Sequence, residues 1–341
     1  MSSTEKVRRL QSLWQGESDE HLNKLCWSPN DELLAAAFAD GSVGVFDTQD
    51  GRQLWRHGLH GLGTSALAWS PDGSLLASGG QQGGILLWNP SEGTVTHNLD
   101  SGRSWVEFLC WSTDEQLASA AGRQIQLWNT DGELTHSFVQ TTSTVTGLHW
   151  LSDGRLISSC YGVVNCWSPE RTEPAQSFPW KDSLLSLSVS PDNRFIAAGC
   201  QDNSIHLWYL NNGEDFQMSG YPSKVRHLSW SADGRYFATG GGQALIVWDC
   251  SGKGPQQKEP AVLPVHTKPV SAVLFSHAGS RVATGGEDGL IYLFDLEQGM
   301  PLAGLLDDAA VSAIAWSHDD RAIAIGYASG RIRICPVPAS A

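Results

Sequence analysis

Apolar and polar residues alternate with period two through most of the chain, and short turn-forming strings interrupt the alternation at regular intervals. The clearest stretch runs from Leu67 to Asn89, LAWSPDGSLLASGGQQGGILLWN: one run into Trp69, a Ser-Pro-Asp-Gly turn, a second run, a glycine-rich turn, and a third run ending in Trp88. Such alternation predicts antiparallel strands and not helices. The phrase occurs eight times, beginning at Leu25, Leu67, Leu109, Leu148, Leu187, Leu228, Val273 and Ile314. Its first run closes on Trp27, Trp69, Trp111, Trp150, Val189, Trp230, Phe275 and Trp316, with spacings of 42, 42, 39, 39, 41, 45 and 41 residues. That is the length of one four-stranded propeller blade, which cannot bury its own apolar face and must stack on its neighbours.

The third run ends in Trp248-Asp249, with variants Phe46-Asp47, Trp88-Asn89, Trp128-Asn129 and Phe294-Asp295, and degenerates to Cys335-Pro336 in the last copy. With these dipeptides the phrase resembles the WD-repeat family of β-propellers over nearly the whole chain. A fourth, outer strand lies between copies, as at Gln53 to Trp55 and Leu134 to Phe138. The last copy has no room for one, whereas Leu10 to Gln15 (LQSLWQ) precedes the first copy and is free to serve. The expected fold is therefore all-β: a single closed propeller of eight four-stranded blades, with the N-terminal strand completing the last and protecting the edges. The alternative is seven blades plus a divergent unit. One domain, 1–341, accounts for the chain, with blades near 17–57, 58–100, 101–139, 140–179, 180–219, 220–264, 265–306 and 307–336, closed by strand 10–15.

Composition narrows the function. A net charge of −14 opposes nucleic acid or an anionic membrane as the general partner. The start, Met1 to Arg9, is polar and charged, and no apolar run approaches the ~18 residues of a membrane span. Seven cysteines without a CxxC pair agree with a reducing compartment, so a soluble, cytoplasmic protein is expected. Cys26 and Cys110 fall one residue before the closing aromatic, where other copies have Ala68 or Ser188, and are expected to be packing residues. The proline-rich string Ser251 to Pro264 is expected to be a long, mobile loop before the sixth outer strand.

The resemblance implies a buried polar chain in each blade: a His before the first strand, Ser or Thr on the second, Asp in the next turn and Trp on the third. The second blade offers His60, Ser78 and Trp88 but Gln82 for the Asp; the seventh offers His266, Thr284 and Asp288 but Phe294 for the Trp. Asp40 and Asp202 occupy the turn in blades without the His, and no blade has the full set. His57 and His60 lack neighbouring ligands at metal spacing. The strings around Ser28, Ser70 and Ser190 recur as turns do, whereas a nucleophile would be unique. There is no GxxxxGK[ST], HExxH or GxSxG, and Gly240 to Gly242 precede a strand, so they form no dinucleotide fingerprint.

No catalytic residue, cofactor or metal site is therefore assigned. The expected function is a non-catalytic scaffold, monomeric by itself, that binds a protein or peptide on the loop face around the channel, as the resemblance implies. The alternative is a small-molecule binding protein or enzyme using the channel. The loops before each first strand and the turns between second and third strands share one face. There Trp105, Glu107, Arg123, Tyr161, Trp180, Lys181, Tyr221, Lys224 and Arg226 depart from the repeat in residue types that supply interface hot spots.

Overall fold

A computed structural model describes residues 8–339, and every regular element among them is a strand. The second repeat shows the pattern: Thr64–Trp69, Leu76–Gly80, Gly84–Asn89 and Thr94–Asp100 form an antiparallel meander in that spatial order. Its first turn is held by Ser70, whose hydroxyl donates to Asp72 at 2.6 Å and accepts the Leu75 N–H at 2.9 Å. The same serine–aspartate bond recurs at Ser190, Ser231 and Ser317, so the repeated serines are turn staples.

The strands form seven hydrogen-bonded sheets, and counted so the propeller has seven blades, not the expected eight. Seven was the alternative, but the route is not a divergent appendage. The fourth and fifth repeats share one six-stranded sheet, because strands Leu156–Trp167 and Gln176–Val189 run on where other repeats break. The second of these pairs backward through Gln176 to Ser183 and forward through Leu184 to Val189. Some other repeats place glycine or Ser-Gly here, as at Gly61-Leu62-Gly63 and Ser101-Gly102; Trp180-Lys181-Asp182 has neither and stays extended.

Apolar side chains fill the space between neighbouring repeats. Trp55, Leu76 and Trp88 pack with Ala35 and Val43 across the first gap, and Trp55 stacks on Trp88 with centroids 5.1 Å apart. A second set of contacts runs around the ring near the channel. Trp69, Trp111, Trp150 and Trp316 each donate an indole N–H to the preceding repeat, at the carbonyls of Cys26, Ala68, Cys110 and Leu274, over 3.0–3.2 Å. These tryptophans fasten one blade to the next by polar as well as apolar contact.

The N-terminal segment does pair with the last repeat, but shifted from the expected 10–15. Trp14–Gly16 lies antiparallel to Ile332–Pro336, with Trp14 opposite Ile334. Arg8–Arg9 instead adds a parallel strand to Met300–Leu306, the outer strand of the seventh repeat. Leu10, 2% exposed, packs between the seventh and eighth repeats, and the Trp14 indole donates to the Thr48 carbonyl of the first at 2.9 Å. One segment thus holds three repeats together.

The segment after Asp249 is packed, contrary to the expected mobile loop. Lys258 Nζ donates to the carbonyls of Asp249 and Ser251 at 3.0 and 2.8 Å, and Arg194 reaches the Cys250 carbonyl at 2.7 Å. Gly254 and Pro255 are buried, Gly254 against Phe195 and Tyr209 of the fifth repeat. The outer strand follows at Ala261–Pro264.

Candidate binding face

The polar chains beneath the loop face decide which loop residues are available. In the second repeat Ser78 Oγ lies 2.7 Å from His60 Nε2 and accepts the Trp88 indole N–H at 2.7 Å. In the seventh, His266 reaches Thr284 and Asp288, each at 3.1 Å. The sixth has a tyrosine in the same place. Tyr221 is 7% exposed, its hydroxyl lies 3.0 Å from Thr239 Oγ1, and it accepts the Trp248 indole N–H at 2.8 Å. A Cβ added at Gly80, Gly286 or Gly241 would come within 2.4–2.5 Å of the His60, His266 or Tyr221 ring respectively, which confirms that the three rings are equivalent. Tyr221 therefore belongs to the interior and not to the exposed face where it was expected.

The other expected contact residues divide by burial. Trp105 and Tyr161 are 54% and 58% exposed. Lys181, Lys224, Arg226 and Arg123 are exposed, Arg123 donating its Nε–H to the Thr141 carbonyl at 2.7 Å. Glu107 is half-buried, and that burial raises its pKa. Trp180 is half-buried too: it stacks on His206 with centroids 3.5 Å apart and packs against the core shared by the fourth and fifth repeats. Lys181 lies 5.2 Å from the Trp180 ring centroid, a cation–π contact. Trp180 is thus mainly a packing residue.

Three of these side chains, Arg123, Lys224 and Arg226, line two pockets. Lys224 and Arg226 line one of about 220 Å³ with His227, Ser271 and Glu287. Arg123 lines another of about 520 Å³ with Arg103, Gln140 and Thr144. The sequence reading passed over Arg103, and also Leu59 and Leu62, 60% and 72% exposed in the loop before the second repeat. The apolar pair in HGLHGLG, where a polar loop is usual, was the available signal.

Titratable groups below this face are neutralised by burial. Desolvation pushes His60 down to about 4, and His227 down to about 4 with help from Arg226. It pushes the Cys26 and Cys110 thiols up to about 12 against the opposing pull of Lys24, so both are uncharged packing groups at neutral pH. No group of three or more His, Cys, Asp or Glu is placed to hold a metal among the described residues.

The family model "WD domain, G-beta repeat" matches residues 172–209, 215–249 and 257–295, and that of the anaphase-promoting complex subunit 4 WD40 domain matches 5–60 and 53–114. The chain belongs to the WD-repeat β-propellers. Telomerase protein component 1 of Rattus norvegicus is 29% identical over 180 residues, covering 51% of this chain and 7% of that protein. Protein FIZZY-RELATED 3 of Arabidopsis thaliana is 26% identical over 186 residues, covering 52% and 38%. WD repeat-containing protein 18 of Homo sapiens is 25% identical over 182 residues, covering 50% and 41%. The matched part is therefore less than half the length of each of these relatives. Among solved structures, the computationally designed Ika8 protein superposes with a TM-score of 0.82 at 22% identity, covering 97% of this chain and 100% of that one. The C-terminal WD40 domain of Sif2 gives 0.81 at 18%, covering 98% and 99%. At these identities the two structures show the fold alone.

Proposed function

We propose that this WD-repeat chain is a non-catalytic scaffold that binds a protein or peptide partner on the loop face around the channel. The observation that carries this reading is Trp105: of the fifteen tryptophans in the chain, it alone is exposed, and Tyr161 is exposed on the same face. Every other indole is buried or half-buried, where it serves the ring. Exposed aromatics on a loop face that also carries arginine and lysine are the residue types of an interface centre. One relative, of Arabidopsis thaliana, is named Cell division cycle 20.1, cofactor of APC complex, and is 26% identical over 119 residues. Assembly with a larger complex is proposed here on that likeness, in the cytoplasm as the sequence suggests.

The test is affinity capture from the source cells with the wild-type chain, followed by affinity measurements on the partner identified. Trp105→Ala and Tyr161→Ala should each weaken binding by about 2 kcal/mol or more with an unchanged melting temperature. Full binding by both, with loss on Arg321→Glu on the opposite face, would place the interface elsewhere.

A further inference from the structure

Four arginines of this ring are held by a near carboxylate: Arg56 by Asp40 at 2.9 Å, Arg155 by Asp153 at 2.7 Å, and Arg331 and Arg333 by Asp307 at 2.5 and 2.8 Å. The pocket of about 520 Å³ between the third and fourth repeats is built differently. Arg103 and Arg123 are its two charged side chains, and no Asp or Glu lines it. Ser101, Ser104, Gln140 and Thr144 supply uncharged polar groups around them. The nearest acid along the chain, Asp100, is not in the lining and accepts the Gly102 N–H at 2.9 Å.

The two arginines are also unequal in a useful way. Arg123 uses Nε on the Thr141 carbonyl, which orients the guanidinium and leaves its two Nη groups to face other partners. Arg103 is exposed and has no hydrogen bond or ion pair among the described residues. In a chain of net charge −14, two arginines sharing a concave site without a carboxylate form a local attraction for anions that the surrounding surface repels. Trp105 is tied to the same site, since its carbonyl accepts the N–H of Gly122, the residue before Arg123, at 3.3 Å.

We propose that this pocket receives an anionic side chain of the partner, a peptide carboxylate or phosphoryl group, while the exposed Trp105 ring covers the apolar residue beside it. The proposal rests on the scaffold reading above and names the chemistry of the partner. Planar guanidinium groups match both anions by paired hydrogen bonds.

The test uses the full chain and fluorescein-labelled nine-residue Gly-Ser peptides carrying three glutamates, three phosphoserines or three glutamines, read by fluorescence anisotropy. At least one anionic peptide should bind about tenfold more tightly than the glutamine peptide, and Arg103→Glu should abolish that difference. Which of the two binds more tightly identifies the source of the anion. Arg103→Glu breaks no bond of the fold, so its melting temperature should match wild type; Lys224→Glu, at the other pocket, should keep the preference. Equal binding of all three peptides, loss on Lys224→Glu in place of Arg103→Glu, or tighter binding of a single-stranded oligothymidylate would overturn the proposal. If no peptide binds while Trp105→Ala still weakens the captured partner, the anion pocket falls and the scaffold reading stands.

Discussion

The indole N–H of Trp27 donates to the carbonyl of Ala315 at 3.0 Å, joining residues 288 apart in sequence. This is the same bond that Trp69 makes to Cys26 and Trp316 makes to Leu274, so the first and last repeats are fastened as any two neighbours are. Trp230 is the exception, a buried indole whose Nε1 has no hydrogen-bond partner among the described residues.

The contrast gives a first prediction. Trp27→Phe removes both the bond and some packing, whereas Trp230→Phe removes packing alone. Trp27→Phe should destabilise more, by an extra 1–2 kcal/mol or about one hydrogen bond with a buried acceptor left unmade. Chemical denaturation of both variants measures it, and equal midpoints would deny the indole bond a role in closure.

Truncation of the N-terminal latch should act on the whole ring. Removing residues 1–16 exposes the paired edge at Ile332–Pro336 and the cavity left by Leu10 and Trp14, both buried. A milder version is Leu10→Ala, which should cost about 2–4 kcal/mol. Removing residues 337–341 should lower the melting temperature less than either change.

How much of this was legible beforehand differs by residue. The repeat spacing and the Ser70-Pro71-Asp72 turns announced strands and staples, because turn chemistry is local. The latch register was not, since Leu10 and Trp14, four apart, would share one face of a single strand, whereas the strand breaks between them: Leu10 serves the seventh and eighth repeats while Trp14 starts the pairing. Tyr221 looked like a surface aromatic because a hydroxyl at the end of a phenyl ring can stand where an imidazole is usual, and only Gly241 beside it betrays the fit. The union of the fourth and fifth repeats was not legible at Trp180-Lys181-Asp182, because the join from Asp307 to Ala310 also lacks glycine and still breaks, so a missing glycine does not decide the outcome.

Tyr221→Phe should therefore lower stability by about 1–2 kcal/mol through loss of the hydroxyl that joins Thr239 and Trp248. Partner affinity should not change. A variant that binds less while melting at the wild-type temperature would return Tyr221 to the interface.

Acid should loosen the fold above the range in which carboxylates titrate. Burial holds His60 and His227 at about 4, against an ordinary value of 6.5, and lowers His266 as well. Between those values the unfolded chain binds protons that the folded chain refuses, so stability falls as pH drops from about 6.5 toward 4. Melting temperatures at pH 7.5 and 5 should differ, and His60→Gln should reduce the difference. A flat profile would show that the imidazoles are not held neutral.

The packed segment after Asp249 reverses the expectation of tolerance. Replacing residues 253–259 by a short Gly-Ser link removes the Lys258 ammonium from two carbonyls and Gly254 from Phe195 and Tyr209. The loss should exceed about 1 kcal/mol. Denaturation at the wild-type midpoint would restore the picture of a loose connection.

Because Trp14 pairs with Ile334, a strand made early must wait for a partner made seven repeats later. At about 5–20 residues per second on the ribosome, the intervening chain takes tens of seconds to emerge. During that interval the nascent ring is an open arc whose terminal apolar surfaces can meet another chain. Protection of the growing chain is therefore needed until Ile332–Pro336 has emerged, and variants that weaken the latch should be lost to aggregation in the cell before they are lost to unfolding in the tube.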